Sequence, residues 1–142
     1  MPSRTDGIAR IAKLMAAMDF CMLTTRTDEG RLHARPMSNN GEVEFDGDVW
    51  FFSSTDTRKV REIEGDPHVE LSYADPKSYR FISMSGTAEI IRDVDKKRAL
   101  WLAELERWFE GGPENEDIVL IKVVPDVVEY WNGEDGGEIA LS

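Results

Sequence analysis

The segment from Trp50 to Lys59 holds the densest set of groups able to act on a ligand. An apolar run, Val49-Trp50-Phe51-Phe52, ends in three hydroxyl residues, Ser53, Ser54 and Thr55, and Thr57, Arg58 and Lys59 follow. Read as a strand passing into a helix, this order sets hydroxyls and two cations at a helix N-terminus. Free N–H groups and the helix dipole favour an anion there, and an arginine can grip phosphate bidentately. Ordinary capping by Ser or Thr beside two solvated basic residues accounts for the same pattern. A second segment, His33-Ala34-Arg35-Pro36-Met37, contains a proline that cannot donate to a ladder, so the strand lies at an edge or a bulge. Its free backbone groups can bond the polar rim of a flat heterocycle, with Arg35 adding charge. An edge strand with a solvated arginine is the simpler account.

Other chemistries find little support. His33 and His68 are far apart and belong to no ligand-spaced motif, and Cys21 is alone, so no metal site is expected. A Cys21 nucleophile lacks an identifiable base, and a small buried thiol is the default. Ser53 and Ser54 lack a Gly-x-Ser-x-Gly elbow. No catalytic constellation of side chains emerges, and catalytic residues stay unassigned. That fits an enzyme whose cofactor carries the reaction. Trp101, Leu105, Trp108 and Phe109 fall at helical spacing, which points to core or dimer packing. Trp131, at the end of the last strand, is a weaker case for packing.

The 142 residues make one domain, and hydrophobic residues at 41% suffice for a core. A net charge of −11 repels nucleic acid and anionic membranes, so neither is an expected partner. No apolar run approaches the roughly 20 residues of a membrane span. No apolar signal segment follows Met1-Pro2-Ser3-Arg4, and a single cysteine permits no intrachain disulfide. A cytoplasmic location is expected.

The elements that must position these residues follow from spacing and turn signals. Ser3 to Asp6 has capping-box spacing, and Ile8, Ile11, Leu14, Met15 and Met18 recur at helical intervals, predicting a helix over Arg4–Met18. Strands are expected over Phe20–Arg26 and Leu32–Ser38, paired across Thr27-Asp28-Glu29-Gly30. Asn39-Asn40-Gly41 is a turn, and Gly41–Gly47 a weak strand or loop. Val49–Phe52 has the continuous apolar character of a fully buried strand. A short helix, Arg58–Glu64, ends at Gly65. Strands His68–Ala74 and Tyr79–Ile91 follow, the second interrupted near Gly86. Asp93 caps a predicted helix Val94–Phe109. Ile118–Val124 is the last clear strand, with Pro125 at a bulge or edge and Val127–Trp131 as its continuation. Asn132–Gly137 reads as a polar tail, flexible over 132–142. The fold class is mainly β (α+β), a closed or nearly closed antiparallel barrel of six or so strands with flanking helices. Periodicity does not separate a barrel from a sandwich.

Taken together, Arg35-Pro36-Met37, Val49-Trp50-Phe51-Phe52-Ser53-Ser54, Thr57-Arg58-Lys59-Val60 and Asp66-Pro67-His68-Val69 resemble the pyridoxamine 5′-phosphate oxidase-related FMN-binding proteins. Leu71–Pro76, Ser83–Ala88, Leu100-Trp101, Trp108-Phe109 and Glu129-Tyr130-Trp131 resemble, more narrowly, the general stress protein 26 branch. The likeness spans roughly residues 7–132. It implies a split β-barrel homodimer with two FMN sites at the subunit interface, FAD being the alternative flavin. Carried onto this chain, Arg35, Pro36 and Met37 would line the isoalloxazine edge, partly through backbone. Ser53, Ser54 and Thr55 would meet the ribityl chain or phosphate, and Arg58 and Lys59 the phosphate. Trp131 would approach the flavin from the partner subunit. Two functions fit: a flavin-dependent oxidoreductase drawing electrons from a nicotinamide, and a non-catalytic flavin sensor, buffer or carrier in a stress response. A related barrel could also take heme or a deazaflavin. The vitamin oxidases end in a basic, histidine-containing substrate motif, whereas this chain ends Glu138-Ile139-Ala140-Leu141-Ser142, so oxidation of a phosphorylated vitamin is not expected.

Overall fold

A computed structural model describes residues 3–38 and 45–141. The Asn39-Asn40-Gly41 turn and most of the 41–47 stretch lie outside them. Helix α1 runs Arg4–Met15, with the Ser3 hydroxyl accepting from the Asp6 amide at 3.1 Å. It is shorter than the spacing predicts. Met18 still reaches the core at 4% exposure, carried there by a turn in which its amide donates to the Met15 carbonyl.

Strands β1 (Phe20–Arg26), β2 (Leu32–Ser38), β3 (Val49–Ser54), β4 (His68–Asp75), β5 (Arg80–Ile91), β6 (Ile118–Asn132) and β7 (Asp135–Ala140) form one antiparallel sheet. The path is β2-β1-β4-β5-β6-β3, with β7 pairing the second half of β6. Helix α2 (Arg58–Gly65) packs on β1 and β5, and α3 (Val94–Leu100) follows β5. Alternation fills the interior with Cys21, Leu23, Met37, Phe51, Leu71, Tyr73, Ile82, Met84, Ile121 and Val128. Among the described residues, seven strands and three α-helices make a split barrel, as expected.

Gly86 and Pro125 mark the expected irregularity. Gly86 pairs with Pro125 and Ser85 with Val127, so Asp126 is the extra residue of a bulge. Four other expectations need correction. Val49–Phe52 is not buried on both faces, because Trp50 and Phe52 are only half-buried. The run buried on both faces is Ile118–Ile121, all of it paired with β3, and Leu120 and Ile121 with β5 as well. The predicted helix 94–109 stops at Leu100. Trp101 and Leu102 are extended, and a 3-10 turn covers Ala103–Arg107. Trp108, expected to pack, is 77% exposed. The polar tail is the hairpin strand β7, and Ile139 and Leu141 are buried at 6% and 7% exposure. Strand pairing through Gly136 and Gly137, opposite Trp131 and Tyr130, explains a polar sequence adopting strand structure. No helix among the described residues is long and apolar enough to cross a membrane.

Candidate functional site

The terminal strands of the path, β2 and β3, meet at one cavity. Pro36, Met37 and Ser38 of β2 and Trp50, Phe51 and Phe52 of β3 line it. The sheet therefore curls until its two ends face each other across a seam of about 360 Å³. Lys59 of α2 closes one side. Glu104, Leu105, Trp108 and Phe109, on and after the 3-10 turn, close another. Trp101 holds that segment in place, its ring edge-on to Phe52 at 5.2 Å and tilted against Phe109 at 6.5 Å. Lys96 Nζ sits 4.5 Å from the centre of the Trp50 ring, which adds cation–π attraction on the cavity wall.

Lys59 is the cation of this lining, and its position is unusual. It is half-buried and has no acidic partner among the described residues. Burial, and then the charge of Arg35, hold its pKa below the ordinary ammonium value. The charge of a bound anion would oppose both penalties. The N-terminus of α2 is open to the same anion. Thr57 makes no side-chain cap; its hydroxyl donates to the Ser54 carbonyl at 3.1 Å. Ser53 is buried at 2% exposure and its hydroxyl donates to the same carbonyl at 3.1 Å. Ser54 is exposed, and the Thr55 amide donates to the Asp117 carbonyl. The hydroxyl cluster thus shapes the loop that leads into α2.

Arg35 turns away from the seam. Its guanidinium donates to Glu62 Oε1 at 2.8 Å, Thr25 Oγ1 at 2.8 Å and the Leu23 carbonyl at 3.2 Å. It also donates to His33 Nδ1 at 2.8 Å, which leaves the His33 proton on Nε2. Glu62, 7% exposed, accepts in addition from Thr25 Oγ1 at 2.7 Å and pairs with Arg58 at 3.5 Å. Sequence reasoning missed Glu62. Its one signal is Arg58 a helical turn earlier, which by itself reads as a surface pair. The expected site residues therefore divide. Pro36, Met37 and Lys59 line one cavity; Ser53 and Ser54 end β3 and Thr55 follows in the loop, while Arg58 opens α2 and lines a separate surface cavity with Asp28, Glu29, Arg61 and Glu62. Arg35 joins a separate buried ion pair. Trp131, 37% exposed, lies on the outer sheet face opposite Phe81 and Gly136 and does not reach the cavity of its own chain.

An aromatic-walled slot with one unpaired cation at its rim suits a flat, phosphate-bearing cofactor. It offers little acid–base chemistry: Glu104 is the single carboxylate among the described lining residues. Burial pushes the Cys21 thiol up to about 12, so it is no nucleophile at neutral pH.

Comparisons with known proteins agree with this architecture. The chain is 29% identical over 129 residues to protein bli-3 of Neurospora crassa, covering 84% of this chain and 62% of that protein. It is 28% identical over 93 residues to general stress protein 26 of Bacillus subtilis, covering 63% of this chain and 65% of that one. Each match thus spans less than two thirds of the relative's length. Among solved structures, a Clostridium acetobutylicum protein related to general stress protein 26 superposes with a TM-score of 0.80 at 18% identity, covering 94% of both chains. A heme binding protein from Mycobacterium smegmatis shares the fold at a TM-score of 0.71 and 16% identity, over 99% of this chain and 59% of that one. The family model for "Pyridoxamine 5′-phosphate oxidase like" proteins matches residues 6–141, and the chain belongs to that family.

Proposed function

We propose that this chain binds FMN in the seam cavity and acts as a flavin-dependent oxidoreductase fed by a nicotinamide. The observation that carries this reading is Lys59, a half-buried ammonium without a carboxylate partner among the described residues, at the rim of an aromatic slot. A bound flavin would supply the hydride and electron chemistry. The chain's residues would do the rest. Pro36 and Met37 present edge backbone, and Trp50, Phe52, Leu105, Trp108 and Phe109 exclude water. Lys59 and the first turn of α2 hold the phosphate, with Ser53, Ser54 and Thr55 shaping the approach. Arg58, whose side chain is 62% exposed, can leave Glu62 to join them. FAD would enter by the same phosphate-bearing end. Heme would need an axial ligand, and the one candidate among the described lining residues is the thioether of Met37, which is 8% exposed.

The test is anaerobic mixing of FMN-loaded protein with NADH and NADPH. Rapid bleaching of the flavin band is expected for the oxidoreductase. Absence of bleaching would favour a flavin sensor, buffer or carrier, a reading supported by the scarcity of acid–base groups in the described lining, where Glu104 is the single carboxylate. The phosphate assignment has its own check. FMN should bind about tenfold to a hundredfold more tightly than riboflavin, the worth of a charge-assisted contact. Lys59→Ala should remove most of that difference and leave riboflavin affinity unchanged, as read by flavin fluorescence quenching.

A homodimer completes the proposal. Phe20, Met22, Val127 and Trp131 are 65%, 39%, 36% and 37% exposed on the outward faces of β1 and β6, apolar side chains that a two-fold interface would cover. In the dimer, Trp131 would contact the flavin of the partner subunit. Light scattering at micromolar concentration should give twice the 16.1 kDa chain mass. A monomer that still binds FMN tightly would rule out an interface site.

A further inference from the structure

A second cavity, about 790 Å³, lies between α1 and the β6–β7 hairpin, and among the described residues its lining shares none with the seam. Arg10 and Lys13 reach it from α1, Arg80 from the start of β5, and Tyr130, Asn132, Asp135 and Gly136 from the hairpin. Three cations thus converge with one carboxylate on a chain of net charge −11. Elsewhere the positive side chains are largely neutralised: Arg26, Arg31, Arg35, Arg58, Arg61, Arg92 and Arg98 each pair with a carboxylate within 4.0 Å. Arg10, Lys13 and Arg80 have no such partner among the described residues, although Asp135 lines the same cavity.

Neutral contacts hold two of these cations in place. Arg10 Nη1 donates to the Tyr130 hydroxyl at 2.8 Å, and the guanidinium centre lies 6.0 Å from the centre of that ring. Arg80 Nε donates to Asn132 Oδ1 at 3.1 Å. Each bond uses one N–H of a guanidinium that carries five, so the remaining donors are oriented and available. Ala9 and Leu14 supply apolar wall beside them. The volume falls in the range of small-molecule sites, roughly 300–1,000 Å³.

We infer that this cavity is a binding site for a small molecule carrying a multiply charged oxyanion, either phosphate or carboxylate. The oxyanion sits among Arg10, Lys13 and Arg80. Its described lining residues and their charge lie outside the seam, so loss of Lys59 separates this inference from the flavin reading.

Calorimetric titration with pyrophosphate and with citrate in saturating FMN, which fills the seam, each balanced by sodium chloride to constant ionic strength, tests the inference. Saturable binding of at least one probe at one site per chain is expected. Pyrophosphate binding alone would assign phosphate chemistry, and citrate binding alone carboxylate chemistry. Lys13→Ala and Arg80→Ala should each weaken binding about tenfold or more, whereas Lys59→Ala should leave it unchanged. Lys13 is exposed on α1 and makes no ion pair among the described residues, so its removal leaves folding intact. The inference is overturned if neither probe binds above the salt control. It also fails if binding survives loss of both Lys13 and Arg80, or if Lys59→Ala abolishes it.

Discussion

Glu62→Ala should cost about 3 kcal/mol of folding stability, the low end for breaking a buried ion pair. The reason is what remains. Arg35, its side chain 16% exposed, would keep its charge while losing the carboxylate 2.8 Å away, and the Thr25 hydroxyl would lose its acceptor. Urea denaturation should show a lower midpoint at unchanged slope. Replacing Arg35 and Glu62 together by apolar residues should recover much of the loss, because the desolvation penalty disappears with the charges. The pair also sets an acid limit. Burial by itself would raise the Glu62 carboxyl, but hydrogen bonds from Thr25 and Arg35 outweigh it and hold the pKa below the ordinary 4.5. A depressed folded-state value means that the stabilisation is complete above the unfolded value and fades as pH falls through the folded one. Below pH 4.5 the native protein should therefore lose stability more steeply than Glu62→Gln, which has no carboxyl to protonate at this position.

Gly86→Ala is the second large effect, at about 3 kcal/mol, the upper end of overpacking costs. A Cβ there would overlap the Val124 carbonyl oxygen and stand 2.8 Å from the Pro125 Cα. Both obstacles are backbone, so no rotamer change relieves them. The bulge at Asp126 brings β6 this close, and β5 and β6 share the longest ladder in the sheet. Gly65→Ala is the matched control. Its Cβ would meet nothing nearer than Asp28 Oδ1 at 3.7 Å, and the change should fall within about 1 kcal/mol of neutral. Thermal melts of the two variants separate close backbone approach from a generic effect of losing glycine.

The same positions show what a sequence can disclose. Gly86 and Pro125 announced the bulge because a missing side chain and a missing N–H are local facts. The turn at Gly30 and the stop at Gly65 were legible for the same reason. The segment after Leu100 was not. Trp101, Leu105 and Trp108 fit helical spacing, but a 3-10 turn serves an interval of three residues equally well. The choice is made by Trp101 packing on Phe52, a contact between residues 49 apart in the chain. Site residues divided along the same line. Lys59, Pro36 and Met37 converge because the edges of β2 and β3 meet. Arg35 joins Glu62 because a buried carboxylate one element away competes for it, and no spacing rule exposes that competitor. Strand β7 was hidden by composition, since its glycines and acids read as tail although pairing with β6 orders them.

The hairpin has a temporal consequence. Arg4 Nε donates to the Leu141 carbonyl at 3.1 Å across a separation of 137 residues, and Ile139 lies against Gly7 of α1. Helix α1 therefore leaves the ribosome long before the strand it rests on exists. At about 5–20 residues per second, its apolar face waits on the order of ten seconds for β7. Throughout that interval Ile11, Leu14 and Met15 face either solvent or whatever chaperone holds them, although all three belong to the finished core. Docking α1 closes the longest loop in the fold and, on loop-closure entropy, should come late. Substitutions on the α1 face that meets β7 should thus speed unfolding more than they slow folding.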